Sequence, residues 1–124
     1  MDLGVGLTEG FVTSISNGAD FKIVGTFVET PMRWVVLVLG NSSYNTIGGL
    51  KGKIFGITKF GGGSHINTLL MSNQKGWREG VDFHIQALGD LKSLILGLEN
   101  GVVDSFVWEL FSIKIFLDKN NLKV

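Results

Sequence analysis

Short runs of β-branched and aromatic residues take turns with segments whose apolar residues recur at helical spacing, and this alternation constrains the chain more than any other feature. Val35 to Leu39 and Ile54 to Thr58 are apolar stretches bounded by turn-forming residues, so each reads as a buried strand. Phe83, Ile85 and Ala87 alternate with polar residues as a further strand. Asp104 to Trp108 and Leu122 to Val124 are read as strands too. Between them, Ile66, Leu69 and Leu70 share one helical face, and Leu91, Leu94, Ile95 and Leu98 fall at i, i+3, i+4 and i+7. Glu109 to Asp118 predicts a last helix. Such an order implies an α/β class with a mostly parallel sheet.

The punctuation agrees with that reading. Asn17-Gly18, Lys75-Gly76 and Asn100-Gly101 stand where helices end, because glycine enters the left-handed conformation without steric cost. Ser64 stands at an N-cap position, and Thr8 is read as the cap of a short helix carrying Phe11, Val12 and Ile15. Ahead of it, Leu3, Val5 and Leu7 alternate as a strand. Phe21 to Phe27 predicts another strand, followed by a loop with the single proline, Pro31. Gly40 to Gly52 is a polar connection.

Charge and composition remove several function classes. Lys plus Arg number 11 and Asp plus Glu number 11, which leaves no broad basic field for nucleic acid or an anionic membrane. The absence of cysteine excludes disulfides, zinc-thiolate sites, iron–sulfur clusters and a cysteine nucleophile. The longest apolar run, Trp34 to Leu39, is far short of the roughly 20 residues that span a bilayer, so no membrane insertion is expected. The first residues lack a basic and then apolar leader, so no secretory signal is expected in them.

Residues that bear chemistry gather at strand-to-helix junctions, which in an open α/β sheet line the ligand crevice. Gly61-Gly62-Gly63 with Ser64 and His65 joins a strand to a helix, an arrangement whose backbone amides hold an anion or serve simply as a tight turn. No Lys-Ser or Lys-Thr follows, so the loop is not a nucleotide P-loop. Trp108-Glu109 and Thr8-Glu9 occupy equivalent junctions, where the carboxylates serve a ligand or cap their own helices. Arg33-Trp34 offers a guanidinium and a flat indole. Neither His65 nor His84 has companions at metal-ligand spacing, so no metal or other cofactor is expected.

Taken together, Leu7-Thr8-Glu9-Gly10, Phe21 to Thr26, Pro31 with Arg33-Trp34, Leu50-Lys51-Gly52-Lys53, Gly61 to His65 and Asp104 to Glu109 resemble the middle of a type 2 periplasmic-binding-protein fold. The resemblance is to the branch of alkanesulfonate-binding and thiamine-pyrimidine synthesis proteins, and within it to a binding-protein-like subgroup of fungi and bacteria. It implies an α/β protein of two lobes with a mixed sheet, closing on a solute between them. Here the fold is expected to be incomplete: 1–36 a partial first lobe with the approach to the hinge, and 37–124 most of the second lobe. By this resemblance Thr8 and Glu9 face the cleft from the first lobe, Gly62, Gly63, Ser64, His65, Trp108 and Glu109 face it from the second, and Arg33 and Trp34 lie by the hinge.

The function so implied is non-catalytic binding of a small polar or heteroaromatic solute, an aminopyrimidine related to thiamine synthesis being favoured because two carboxylates suit N–H donors. An ABC permease is the partner such a role implies. A synthase-like enzyme is the alternative, but its cysteine-rich motif is absent; an effector-sensing regulator domain is another, with no helix-turn-helix attached. Cytoplasmic residence is expected, or periplasmic if a signal-bearing segment precedes this sequence. Family members are about twice this long, so self-association through uncovered apolar surface is expected.

Overall fold

A computed structural model describes residues 2–124. The elements run in the order α1 (Thr8–Ser16), β1 (Trp34–Leu39), a single 3-10 turn (Ile47–Leu50), β2 (Ile54–Ile57), α2 (Gly63–Gln74), β3 (His84–Ala87), α3 (Leu91–Glu99), β4 (Ser105–Glu109), α4 (Leu110–Leu117) and β5 (Leu122–Lys123). The strands form one sheet in the order β3-β2-β4-β1-β5.

β2 pairs in parallel with β3 and β4, whereas β1 runs antiparallel to both β4 and β5. The sheet is therefore mixed, which corrects the mostly parallel sheet read from alternation alone. The reason is that β1 enters the sheet from α1 by a long extended segment, not by a helical crossover, so the right-handed βαβ rule does not set its direction.

Two expected strands do not form. Leu3 to Leu7 and Phe21 to Phe27 carry no strand pairing, and the chain bends at Phe27. Their side chains have the alternation of strands, yet pairing needs a neighbouring edge and the described residues supply none there. Two caps differ as well. Leu7, not Thr8, is the N-cap of α1, and Gly62, not Ser64, is the N-cap of α2; neither helix has a side-chain cap. The 3-10 turn within the expected loop is capped by Thr46, whose side chain accepts from the Gly49 amide at 3.3 Å.

Strand geometry sends alternate residues to opposite faces, and each face has its own core. Leu37, Phe106, Leu94, Ile95, Leu98, Val103, Ile113 and Leu122 pack on the α3 and α4 side. Val38, Leu50, Phe55 and Phe83 pack on the α2 side, with Leu69, Met71 and Trp77 around them. α2 lies on the sheet through an unusual polar stripe, Ser64, Thr68 and Ser72, all buried and spaced at i, i+4 and i+8. These small residues let the helix approach the sheet closely. Thr68 Oγ1 donates to the Ser64 carbonyl at 2.7 Å, so one hydroxyl of the stripe is satisfied within the helix.

Candidate functional site

The carboxyl ends of β2 and β4, the start of β1 and the first turns of α1 and α2 meet at one edge of the sheet. Several of the sequence-selected residues come together there. The Glu9 carboxylate accepts from the Asn67 amide at 3.1 Å, and the same Asn67 nitrogen donates to the Gly63 carbonyl at 2.9 Å, tying α1 to α2. Gly63 lies under two apolar groups: a Cβ at this position would stand 2.7 Å from Leu7 Cδ1 and 2.8 Å from Trp34 Cη2. A glycine is thus required for Trp34 and Leu7 to close over the helix start.

The glycine loop is largely self-satisfied up to that point. The Gly61 amide donates to His65 Nδ1 at 2.9 Å, and the Gly62 amide donates to the Lys59 carbonyl at 3.2 Å. His65 is in addition packed edge-on against Phe60 at 5.2 Å. Ser64 is buried, and its hydroxyl accepts from the Thr58 amide at 3.1 Å, which pins the end of β2 to α2. Both residues therefore hold the loop in shape. What remains open is the first turn of α2: Gly62 offers no side-chain cap and no acidic residue is present in that turn. Backbone amides at an uncapped helix start carry partial positive charge and seek an acceptor.

Glu109 is engaged differently. Its two carboxylate oxygens accept from the amides of Phe111 at 2.9 Å and Ser112 at 2.8 Å, so it is the N-cap of α4. The Phe111 amide, seconded by that of Ser112, holds its pKa below the ordinary glutamate value, against a smaller opposing effect of desolvation. Trp34 and Glu109 are register partners and share a face of the sheet. Trp108, one residue earlier, points to the opposite side, where it packs on the α3 and α4 core and its indole N–H donates to Ser112 Oγ at 3.2 Å. The structure thus separates Trp108 from the glycine loop by the thickness of the sheet. Trp34 is the aromatic residue at the loop.

Thr8 is exposed on the first turn of α1 beside Glu9, with no hydrogen bond from its hydroxyl among the described residues. Arg33 is exposed, and its carbonyl accepts from the Leu110 amide at 2.7 Å, which fixes the backbone entering β1 against the start of α4. Asn67 is the residue that sequence reasoning missed. Its signal was its place four residues after Gly63, on the same helix face. Among the described residues there is no group of three or more His, Cys, Asp or Glu side chains suited to a metal ion. No helix is long and apolar enough to cross a membrane.

Comparison with known proteins follows the same lines. The Candida albicans CA3427 gene product, described as exhibiting the generic periplasmic binding protein structural fold, superposes with a TM-score of 0.79 at 27% identity, over 95% of this chain and 39% of that one. A sulfonate ABC transporter binding protein, SsuA, from Methylobacillus flagellatus KT matches with a TM-score of 0.56 at 26% identity, over 73% of this chain and 26% of that one. The second substrate binding domain of an amino acid ABC transporter protein from Streptococcus pneumoniae shares the fold, with a TM-score of 0.59 at 24% identity over 77% of this chain and 40% of that one. The chain spans two fifths or less of each of these proteins. Comparison with curated proteins finds no match. Residues 34–124 match the model of the Ca3427-like PBP family, and the chain belongs to that family. The type 2 periplasmic-binding-protein fold is the fold of this chain, partial relative to the longer proteins that share it.

Proposed function

From membership of a solute-binding family, we propose that this chain contributes one wall of a non-catalytic binding cleft for a small solute. The observation that carries the reading is the convergence of Glu9, Gly63 and Trp34 at the carboxyl edge of the sheet, beside an α2 start that has no side-chain cap. In its finer form the solute is a flat heteroaromatic carrying N–H donors, an aminopyrimidine being the simplest example. Its ring would lie against Trp34, its acceptor atoms would take the amides of the first turn of α2, and Glu9 would accept from its N–H groups. Thr8 and Arg33 would border the opening. Because the Glu109 oxygens already accept from two amides, Glu9 is the carboxylate with capacity for the solute.

An uncapped helix start also favours an anion, and one structural neighbour is a sulfonate-binding protein. A second reading is therefore an alkanesulfonate at the same amides, with Glu9 as an opposing charge. An ABC permease would be the partner under either reading.

Isothermal calorimetry on the complete protein separates the two. For the heteroaromatic reading, Glu9→Gln and Trp34→Leu should each weaken 4-aminopyrimidine binding about tenfold, the loss of one charge-assisted hydrogen bond or one stacking face. Affinity for the aminopyrimidine that does not change in either variant would sink that reading. Sulfonate binding strengthened by Glu9→Gln would establish the anion reading in its place.

A further inference from the structure

Adjoining this edge, with Trp34 and Asn67 common to both, lies a cavity of about 580 Å³ on the α2 side of the sheet. Its floor is Trp34, Val36 and Val38 of β1 with Val107 of β4; Leu70 and Met71 of α2 form one wall, and the 44–50 loop forms the other. This is the part of the sheet that α2 does not cover. The volume lies within the range of small-molecule sites, and the lining has the usual character of one, an apolar floor under a few polar groups at the mouth.

The charge at that mouth is one-sided. Asn45, Thr46, Asn67, Gln74 and Lys123 line it, and no acidic side chain does; the one anionic group beside it in the 124-residue chain is the main-chain carboxylate of Val124, which also lines the cavity. In a chain of zero formal charge such a composition is selective. Lys123 is held in place: its ammonium donates to the Ser42 carbonyl at 2.8 Å and to Asn45 Oδ1 at 3.2 Å. Both acceptors are neutral, and among the described residues Lys123 has no ion-pair partner. An ammonium has three N–H donors, so one is left. The Tyr44 hydroxyl is not available to compete, because it donates to Asp104 at 2.8 Å.

We propose that this groove is a second binding site, for a small amphipathic anion whose apolar body lies over Val36, Val38 and Val107 and whose carboxylate or similar head meets Lys123. It shares Trp34 and Asn67 with the cleft reading above but uses a different charged group, since Lys123 lines it and Glu9 does not. A medium-chain carboxylate fits the chemistry: the chain removes apolar floor from water and the head completes the Lys123 donor set.

The test is calorimetry of the purified chain with decanoate and, as a control of opposite charge, decylamine. Decanoate should bind saturably, one per chain, and decylamine at least about tenfold more weakly, the equivalent of one ion pair of ordinary strength at a partly buried site. Lys123→Gln should weaken decanoate by a similar factor. Leu70→Glu, at a position 54% exposed on the rim, places a carboxylate beside the groove without disturbing the core and should abolish decanoate binding. Decanoate is titrated separately from 4-aminopyrimidine and sulfonate, so failure of the cleft ligands to bind leaves this result standing and the reverse holds too. Equal binding of the two amphiphiles, binding indifferent to both Lys123→Gln and Leu70→Glu, or no saturable binding would overturn the proposal. A dimer that Leu70→Glu dissolves would also overturn it, since a second copy would then occupy the groove.

Discussion

Glu109 shows how a residue type legible in the sequence leaves its role undecided until the backbone is placed. A carboxylate at a strand-to-helix junction suits a ligand and suits a helix start equally, and here the two amides of α4 claim both oxygens. Removing it as Glu109→Ala should destabilise the chain by about 1–2 kcal/mol at neutral pH, the cost of a lost cap. Because the folded-state pKa is depressed, this stabilisation is present above the unfolded glutamate value and is lost as pH falls through the folded one. Urea unfolding of parent and variant should therefore differ at neutral pH and converge as pH falls through the depressed folded-state pKa. Gly63→Ala tests the other side of the edge. The added methyl meets Leu7 and Trp34. We expect a shift in tryptophan fluorescence as Trp34 swings away from the helix start, with overpacking costing about 1–3 kcal/mol less the helix-propensity gain of alanine. An unchanged spectrum would mean that Trp34 does not close over the loop.

At the scale of elements, α2 is the helix whose packing breaks the usual pattern. Its buried stripe is hydroxyl-bearing, and Ser72 Oγ, like Ser105 Oγ on β4, has no hydrogen-bond partner among the described residues. A buried hydroxyl without a partner costs more than it contributes, and alanine is the better helix former. Ser72→Ala should therefore raise stability by about 0.5–1 kcal/mol, read from the urea midpoint; a fall in the midpoint would mean that Ser72 is bonded in solution, through water or otherwise. On the other face, β2 passes so close to α3 that a Cβ on Gly56 would lie 2.7 Å from Leu94 Cδ2 and 3.2 Å from Val103 Cγ2. Gly56→Ala should cost about 1–3 kcal/mol for that reason. The helices α2 and α3 and the strands β1, β2 and β4 were all readable from period and punctuation, but the apolar pattern fixed the buried face only outside α2, whose buried residues are Ser64, Thr68 and Ser72 while Leu70 is exposed. The caps were not, because Thr8 becomes a cap only if α1 starts one residue later than it does, and Ser64 only if α2 starts two residues later.

For the whole molecule, the division between what is packed and what is not falls near Arg33. α1 has no buried residue, and Val24, Phe27 and Val28 of the extended segment that follows are 81%, 85% and 61% exposed. None of residues 22–32 makes a backbone hydrogen bond among those described. Their amides should exchange with solvent fastest in the chain, and the amides of β2 and β4 slowest, which hydrogen exchange would show directly. The same exposed apolar surface should make the isolated chain associate as its concentration rises. Sedimentation showing a monodisperse monomer at high concentration would count against this.

Sequence alone determined the class of the fold, most element positions, the glycine loop and the family, because these follow from local periodicity, turn chemistry and short ordered motifs. Tertiary structure decided the rest. Whether Leu3 to Leu7 and Phe21 to Phe27 become strands depends on an edge elsewhere in space, which no local pattern records. The direction of β1 depends on how its connection crosses the sheet. That Trp34 and not Trp108 stands at the glycine loop depends on strand parity: a shift of one residue along β4 moves a side chain to the other face of the sheet. Each of these is a relation between segments far apart in the chain, and only packing states it.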